Sequence, residues 1–169
     1  MTDAAFETGT AVAIEGRGLL ILGPSGAGKS ALALDLLALG GALIADDVVI
    51  VARRGDDLLL SCPPGGEGLV EARGIGLLRA PPAGPAPLAL VLDLGAEETA
   101  RLPEPRTWSL SGVSVPLARK PSPLQPAAIR AAVLSGGPID PHTSISRGSL
   151  ARSAARDQGS SARDSRMSG

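Results

Sequence analysis

Aromatic side chains are nearly missing from this chain: one Phe, one Trp and no Tyr, 1% of the residues. Leu, Val, Ile and Ala must therefore fill the core, within a hydrophobic fraction of 44%. The same lack removes the stacking platforms that hold single-stranded nucleic acid. An excess of charge is missing too: Lys and Arg number 16, Asp and Glu 17, for a formal charge of -1. Such a balance gives no field to gather DNA or an anionic membrane.

The lone cysteine, Cys62, excludes an internal disulfide and a Cys-rich zinc site, and reads as a small strand residue rather than a nucleophile. No apolar run reaches the roughly 18 to 20 residues of a membrane helix. The start, Met1-Thr2-Asp3-Ala4-Ala5-Phe6-Glu7, lacks the basic stretch and apolar core of an export signal. These absences predict a cytoplasmic protein with a protein or small-molecule partner, and with neither nucleic acid nor membrane as partner. Its 169 residues suit one folded domain.

What is there begins with Gly23-Pro24-Ser25-Gly26-Ala27-Gly28-Lys29-Ser30, which fits G-x-x-x-x-G-K-[ST] at every fixed position. Before it, Thr10 to Ile14 and Leu19 to Leu22 read as strands about a Glu15-Gly16-Arg17-Gly18 turn. After it, residues from Lys29 onward are strong helix formers that stop at Gly40-Gly41. A chance glycine-rich turn would have to reproduce both the motif and this strand–loop–helix order. In such a loop, backbone N–H groups and the helix N-terminus surround phosphate oxygens, Lys29 reaches the β- and γ-phosphates, and Ser30 ligates magnesium. The loop predicts ATP and Mg2+ as cofactors.

Further along, Ala42 to Ala45, Val48 to Ala52 and Leu58 to Leu60 read as closely spaced strands, which predicts antiparallel hairpins within a mixed sheet. Leu88 to Leu94 reads as a buried strand, Val113 to Leu117 as an edge strand, and Pro126 to Leu134 as a short helix with Pro at its start. The fold class is α/β, a mixed and partly antiparallel sheet around a P-loop. Residues 1–136 form the predicted catalytic domain. Residues 137–169, rich in Ser, Arg and Gly, form a predicted disordered tail.

Two further blocks carry chemistry. Leu43-Ile44-Ala45-Asp46-Asp47 ends a strand in two carboxylates. Beside a triphosphate one could take a proton from an attacking hydroxyl and the other could organise magnesium, with the roles unassigned between them. Alone, Asp-Asp after a strand is often a turn. Glu71-Ala72-Arg73-Gly74-Ile75-Gly76-Leu77-Leu78 sets an acid and a base two residues apart, which by itself reads as a solvated strand.

The three blocks in this order and spacing resemble the HPr kinase/phosphorylase family, in its short form holding the catalytic domain alone, from about Thr10 to about Leu134. The resemblance implies a P-loop kinase fold of the HPr kinase / phosphoenolpyruvate carboxykinase type. It implies phosphorylation of a serine on an HPr-like phosphocarrier protein of a phosphotransferase system, phosphorolysis in reverse, and a ring-like homo-oligomer. It also implies that Asp46 is the acid/base group with Asp47 as its neighbour, that Glu71 lies near the magnesium of Ser30, and that Arg73 positions phosphate or substrate. Two places depart from the pattern: Thr8 stands where the family has a histidine, and Arg119-Lys120-Pro121 replaces a basic loop of longer members. His142, the only histidine, falls in the tail, and Trp108 reads as a packing residue. A P-loop enzyme acting on a small molecule, and a nucleotide-binding regulator without catalysis, are the alternative readings.

Overall fold

The computed structural model describes residues 4–140. The chain runs through β1 (Ala4–Thr8), β2 (Thr10–Ile14), β3 (Arg17–Leu22), α1 (Lys29–Ala38), β4 (Ala42–Ala45), β5 (Val48–Arg54) and β6 (Asp57–Ser61). It continues through β7 (Leu69–Ala72), β8 (Gly76–Arg79), β9 (Ala86–Glu97), β10 (Arg106–Leu110), β11 (Val113–Lys120) and α2 (Pro126–Ser135).

β2 and β3 form the expected hairpin, closed at Glu15 (φ 49°) and Gly16 (φ 78°), two positive φ values that match the twist of a two-residue turn. β3 lies between antiparallel β2 and parallel β9, and β9 in turn pairs in parallel with β11. Because β3 is covered on both faces, Leu19, Leu20 and Ile21 are all fully buried, as a continuous apolar run requires. α1 starts directly from the loop after β3, buries Leu32, Ala33 and Leu36, and ends where the Gly41 and Gly40 amides bond the Leu36 and Leu37 carbonyls at 2.9 and 3.0 Å.

One nine-stranded sheet, ordered β1-β5-β6-β9-β3-β2-β4 with β11 and β10 branching from β9, curls so that two cores form. Val49, Val51, Leu58 and Leu60 meet Leu20, Ile44 and Val91 inside the curl. On the other face Leu19, Ile21, Leu90 and Leu92 pack against Leu32 and Leu36 of α1 and Ile129 and Val133 of α2.

Two sequence expectations are corrected. β4 and β5, separated only by Asp46-Asp47, do not pair with each other. β4 pairs with β2 and β5 with β1 and β6, and Asp47 turns the chain between these partners at φ 74°. β5 and β6 do form a hairpin. The strand at Val113–Lys120 is not an edge, since β10 covers it. β1 and β10 are elements that the apolar patterning leaves unmarked. Among the described residues the compact unit holding these elements runs to Ile139, and Gly137 still belongs to it, its N–H bonding the Ala132 carbonyl at 2.8 Å. Residues 141–169 of the predicted tail, with His142, lie outside the described residues. No helix among the described residues is long and apolar enough to cross a membrane.

Candidate active site

The glycine loop leaves β3 at Gly23, whose φ of 146° and close neighbours suit no other residue. An added Cβ would stand 3.2 Å from the Ala27 and Leu94 Cβ atoms. Gly28 caps α1 in the left-handed region, φ 96°. Within the loop one backbone bond forms, from the Ala27 N–H to the Pro24 carbonyl at 3.1 Å. Among the described residues the amides of Gly26, Gly28, Lys29 and Ser30 find no backbone acceptor, so a set of N–H donors is free at a helix N-terminus. Ser25 and Gly26 are exposed at the mouth. The Lys29 Nζ folds back on the Gly23 and Pro24 carbonyls at 2.8 and 3.0 Å, in place of the phosphate oxygens an ammonium would seek.

Asp46 is brought against this loop by register. Ala11 lies opposite Ala45 in the antiparallel β2–β4 pair, so Thr10 at the head of β2 faces Asp46 just past the end of β4. Three elements then grip the half-buried carboxylate. Thr10 Oγ1 donates to Oδ1 at 2.8 Å. Ser30 Oγ donates to Oδ1 and Oδ2 at 2.9 and 3.1 Å, and the Glu71 backbone N–H donates to Oδ2 at 3.1 Å. Asp47 is exposed, its carbonyl accepting from the Gly9 N–H at 3.0 Å.

β7 and β8 form a separate two-stranded hairpin, and it reaches Asp46 through the Glu71 amide while the Glu71 and Arg73 side chains stay exposed. The structure thus joins Ser30, Asp46 and the backbone of Glu71 at one point beside the loop. Thr10 is the residue of this cluster that sequence reasoning missed, since it reads only as part of a β-prone run. Thr8 ends β1 and is exposed.

Away from the loop, a cavity of about 330 Å³ opens between the segment after β9, β11 and α2, lined by Arg101, Arg106, Arg119, Pro121 and Ile129. Lys120 sits in register with Glu97. Glu98 pairs with Arg106 and accepts the Ala100 N–H at 3.0 Å. These bonds, the amide first, hold its carboxyl below its ordinary value of 4.5. Trp108 is half-buried against the inner core. Cys62 follows β6, and burial, followed by the nearby Glu67 charge, pushes its thiol up.

Strand, amide-rich glycine loop, helix and an acidic strand end define a P-loop α/β domain. The sequence model of the HPr Serine kinase C-terminal domain family matches residues 1–81, which hold the glycine loop, Asp46 and Glu71. The HPr kinase/phosphorylase of Cupriavidus necator is 50% identical over 66 residues, 38% of this chain and 20% of that protein. The one from Mycoplasmopsis pulmonis is 44% identical over 70 residues, 41% and 23% of the two chains. The chain therefore spans about a fifth of the length of the curated relatives it matches. The solved Hpr(Ser) kinase/phosphatase of Coxiella burnetii superposes with a TM-score of 0.66 at 25% identity, covering 78% of this chain and 95% of that one. Over its first 81 residues the chain is similar in sequence to the HPr Serine kinase C-terminal domain, and over most of its length it is similar in fold to a solved member of that group.

Proposed function

We propose that this domain transfers the γ-phosphoryl group of ATP to a serine of an HPr-like phosphocarrier in the cytoplasm, and carries out the reverse phosphorolysis, so regulating a phosphotransferase system. The observation that supports it is the contact of Ser30 with Asp46: the loop that would hold the phosphates and the carboxylate that would move the proton share one hydrogen-bonded point.

Gly23 to Ser30 would wrap the phosphates with amides, and Lys29 would exchange its two carbonyl partners for phosphate oxygens. The serine hydroxyl of the substrate would lose its proton to Asp46 as its oxygen bonds to the γ-phosphorus, while the bond from that phosphorus to the β–γ bridging oxygen breaks and ADP leaves. In reverse, an oxygen of inorganic phosphate would bond to the phosphoserine phosphorus. The bond to the serine oxygen breaks, protonated Asp46 returns the proton to it, and pyrophosphate forms. Arg73 on the exposed hairpin would position phosphate or the protein substrate.

Magnesium fits the donors present. Ser30 offers a hydroxyl oxygen, Glu71 offers a carboxylate on the adjoining β7–β8 hairpin, and Asp46 touches both residues. So sparse a protein donor set suits an ion that keeps water and phosphate oxygens in its shell. Ser30 and Glu71 would hold it, with the Asp46 carboxylate beside them, and it would supply neutralisation of phosphate charge.

A paired assay tests the reading: ATP, Mg2+ and HPr in one arm, phosphoserine-HPr and inorganic phosphate in the other. Phosphoserine is expected in the first and pyrophosphate in the second. ATP binding with neither product would leave a nucleotide-responsive regulator. Asp46→Asn should keep nucleotide binding and lower transfer by roughly 100-fold or more, the scale of general-base catalysis. Native mass measurement checks the accompanying expectation of a homo-oligomer.

A further inference from the structure

Among the described residues, Thr10 stands out as a polar side chain with no solvent exposure at all, set in a strand otherwise made of Ala, Val and Ile. A valine would occupy the same volume and suits a strand as well. The hydroxyl therefore answers to its hydrogen bond, 2.8 Å to Asp46 Oδ1.

The three donors on Asp46 differ in what they can do. Ser30 spans both oxygens, yet it is also the hydroxyl that a P-loop turns toward the nucleotide-bound ion. Thr10 and the Glu71 amide hold one oxygen each, from two different strands, and neither belongs to the loop that must reorganise around phosphate. With Ser30 turned away, these two bonds still fix the plane of the carboxylate. The lone pairs that Ser30 releases then face the phosphate end of the loop.

We infer that Thr10 is a positioning residue for Asp46: it sets the carboxylate's orientation so that the side released by Ser30 is presented to the reacting phosphate and its ion. This inference rests on the proposed role of Asp46. It is separable from a packing role because the hydroxyl can be removed without changing the side chain's size.

The test uses the full chain with Thr10→Val and Thr10→Ser. Thr10→Val should stay folded, with a melting temperature lowered by no more than one hydrogen bond's worth, and bind ATP equally well without Mg2+. Its kcat for HPr phosphorylation should fall about tenfold at unchanged KM for HPr, the scale of one hydrogen bond to a charged group. The Mg2+ concentration for half-maximal binding of a fluorescent ATP analogue should rise severalfold, and Thr10→Ser should restore both readouts. Wild-type kcat and Mg2+ dependence in Thr10→Val would overturn the inference, as would a lowered melting temperature in Thr10→Val that accounts for its losses. If the wild-type chain binds Mg2+ and ATP but transfers nothing to HPr, the proposed function falls alone, and the Mg2+ dependence of binding still decides the role of Thr10. A wild-type chain that binds no ATP overturns both.

Discussion

At the scale of single residues, Lys29 and Asp46 occupy opposite situations. Lys29 satisfies its ammonium on two carbonyls of its own loop, bonds that hold no other element in place. Lys29→Met should therefore leave the melting temperature close to wild type. It should weaken ATP binding about a hundredfold in a fluorescent-analogue titration, because charge-assisted bonds to phosphate are lost. Asp46 instead ties three elements together. The motif made Gly23 to Ser30 legible from sequence, since the phosphate chemistry needs fixed residue types at fixed local spacing. Thr10 was not legible: its partner lies 36 residues away, and only the β2–β4 register brings the two together. Nor could the residues alone separate Asp46 from Asp47, a distinction that only the family resemblance implied. The difference is that one carboxylate is gripped by three donors while the other residue turns the chain.

Among elements, those defined by local signals were read correctly: the β2–β3 hairpin, α1 with its glycine stop, and α2 with Pro126 at its start. β1 and β10 escaped because edge strands bury little and so carry weak patterning, with Phe6 on β1 left 71% exposed. The absence of a β4–β5 hairpin has a similar cause, since pairing is decided by distant partners rather than by the length of the spacer. α1 offers a contrast within one helix end. Leu36→Ala should cost about 2–5 kcal/mol in denaturant unfolding, because Leu36 is buried between the sheet and α2, while Leu39→Ala at an exposed cap should fall within about 0.5 kcal/mol. The segment after β9 gives a pH-dependent counterpart. Glu98 titrates lower in the folded chain than its ordinary 4.5, so its bonds to the Ala100 amide and Arg106 hold fully above that value. They are lost as pH falls through the depressed value. Hydrogen exchange at the Ala100 amide should accordingly accelerate, relative to neighbouring amides, when the pH is taken well below 4.5.

For the molecule as a whole, the curled sheet places its two cores on either face of β3, and the glycine loop issues from that strand, whose Leu19, Leu20 and Ile21 are fully buried. The phosphate binding proposed for this loop would thus rest on one of the well-buried strands of the fold. The bonds that shape Asp46 span 36, 16 and 25 residues of sequence and come from β2, the start of α1 and β7. Contacts of such separation close late in folding, after local turns and helices have formed. Recovery of magnesium-dependent ATP-analogue fluorescence during refolding from urea should therefore lag helix formation followed by circular dichroism, and coincide with the final phase seen by Trp108. Coincidence with the early helical phase would contradict it. The carboxylate gripped from three sides would then act as a built-in proofreader of assembly: a chain still missing one long-range closure would lack the geometry to consume nucleotide.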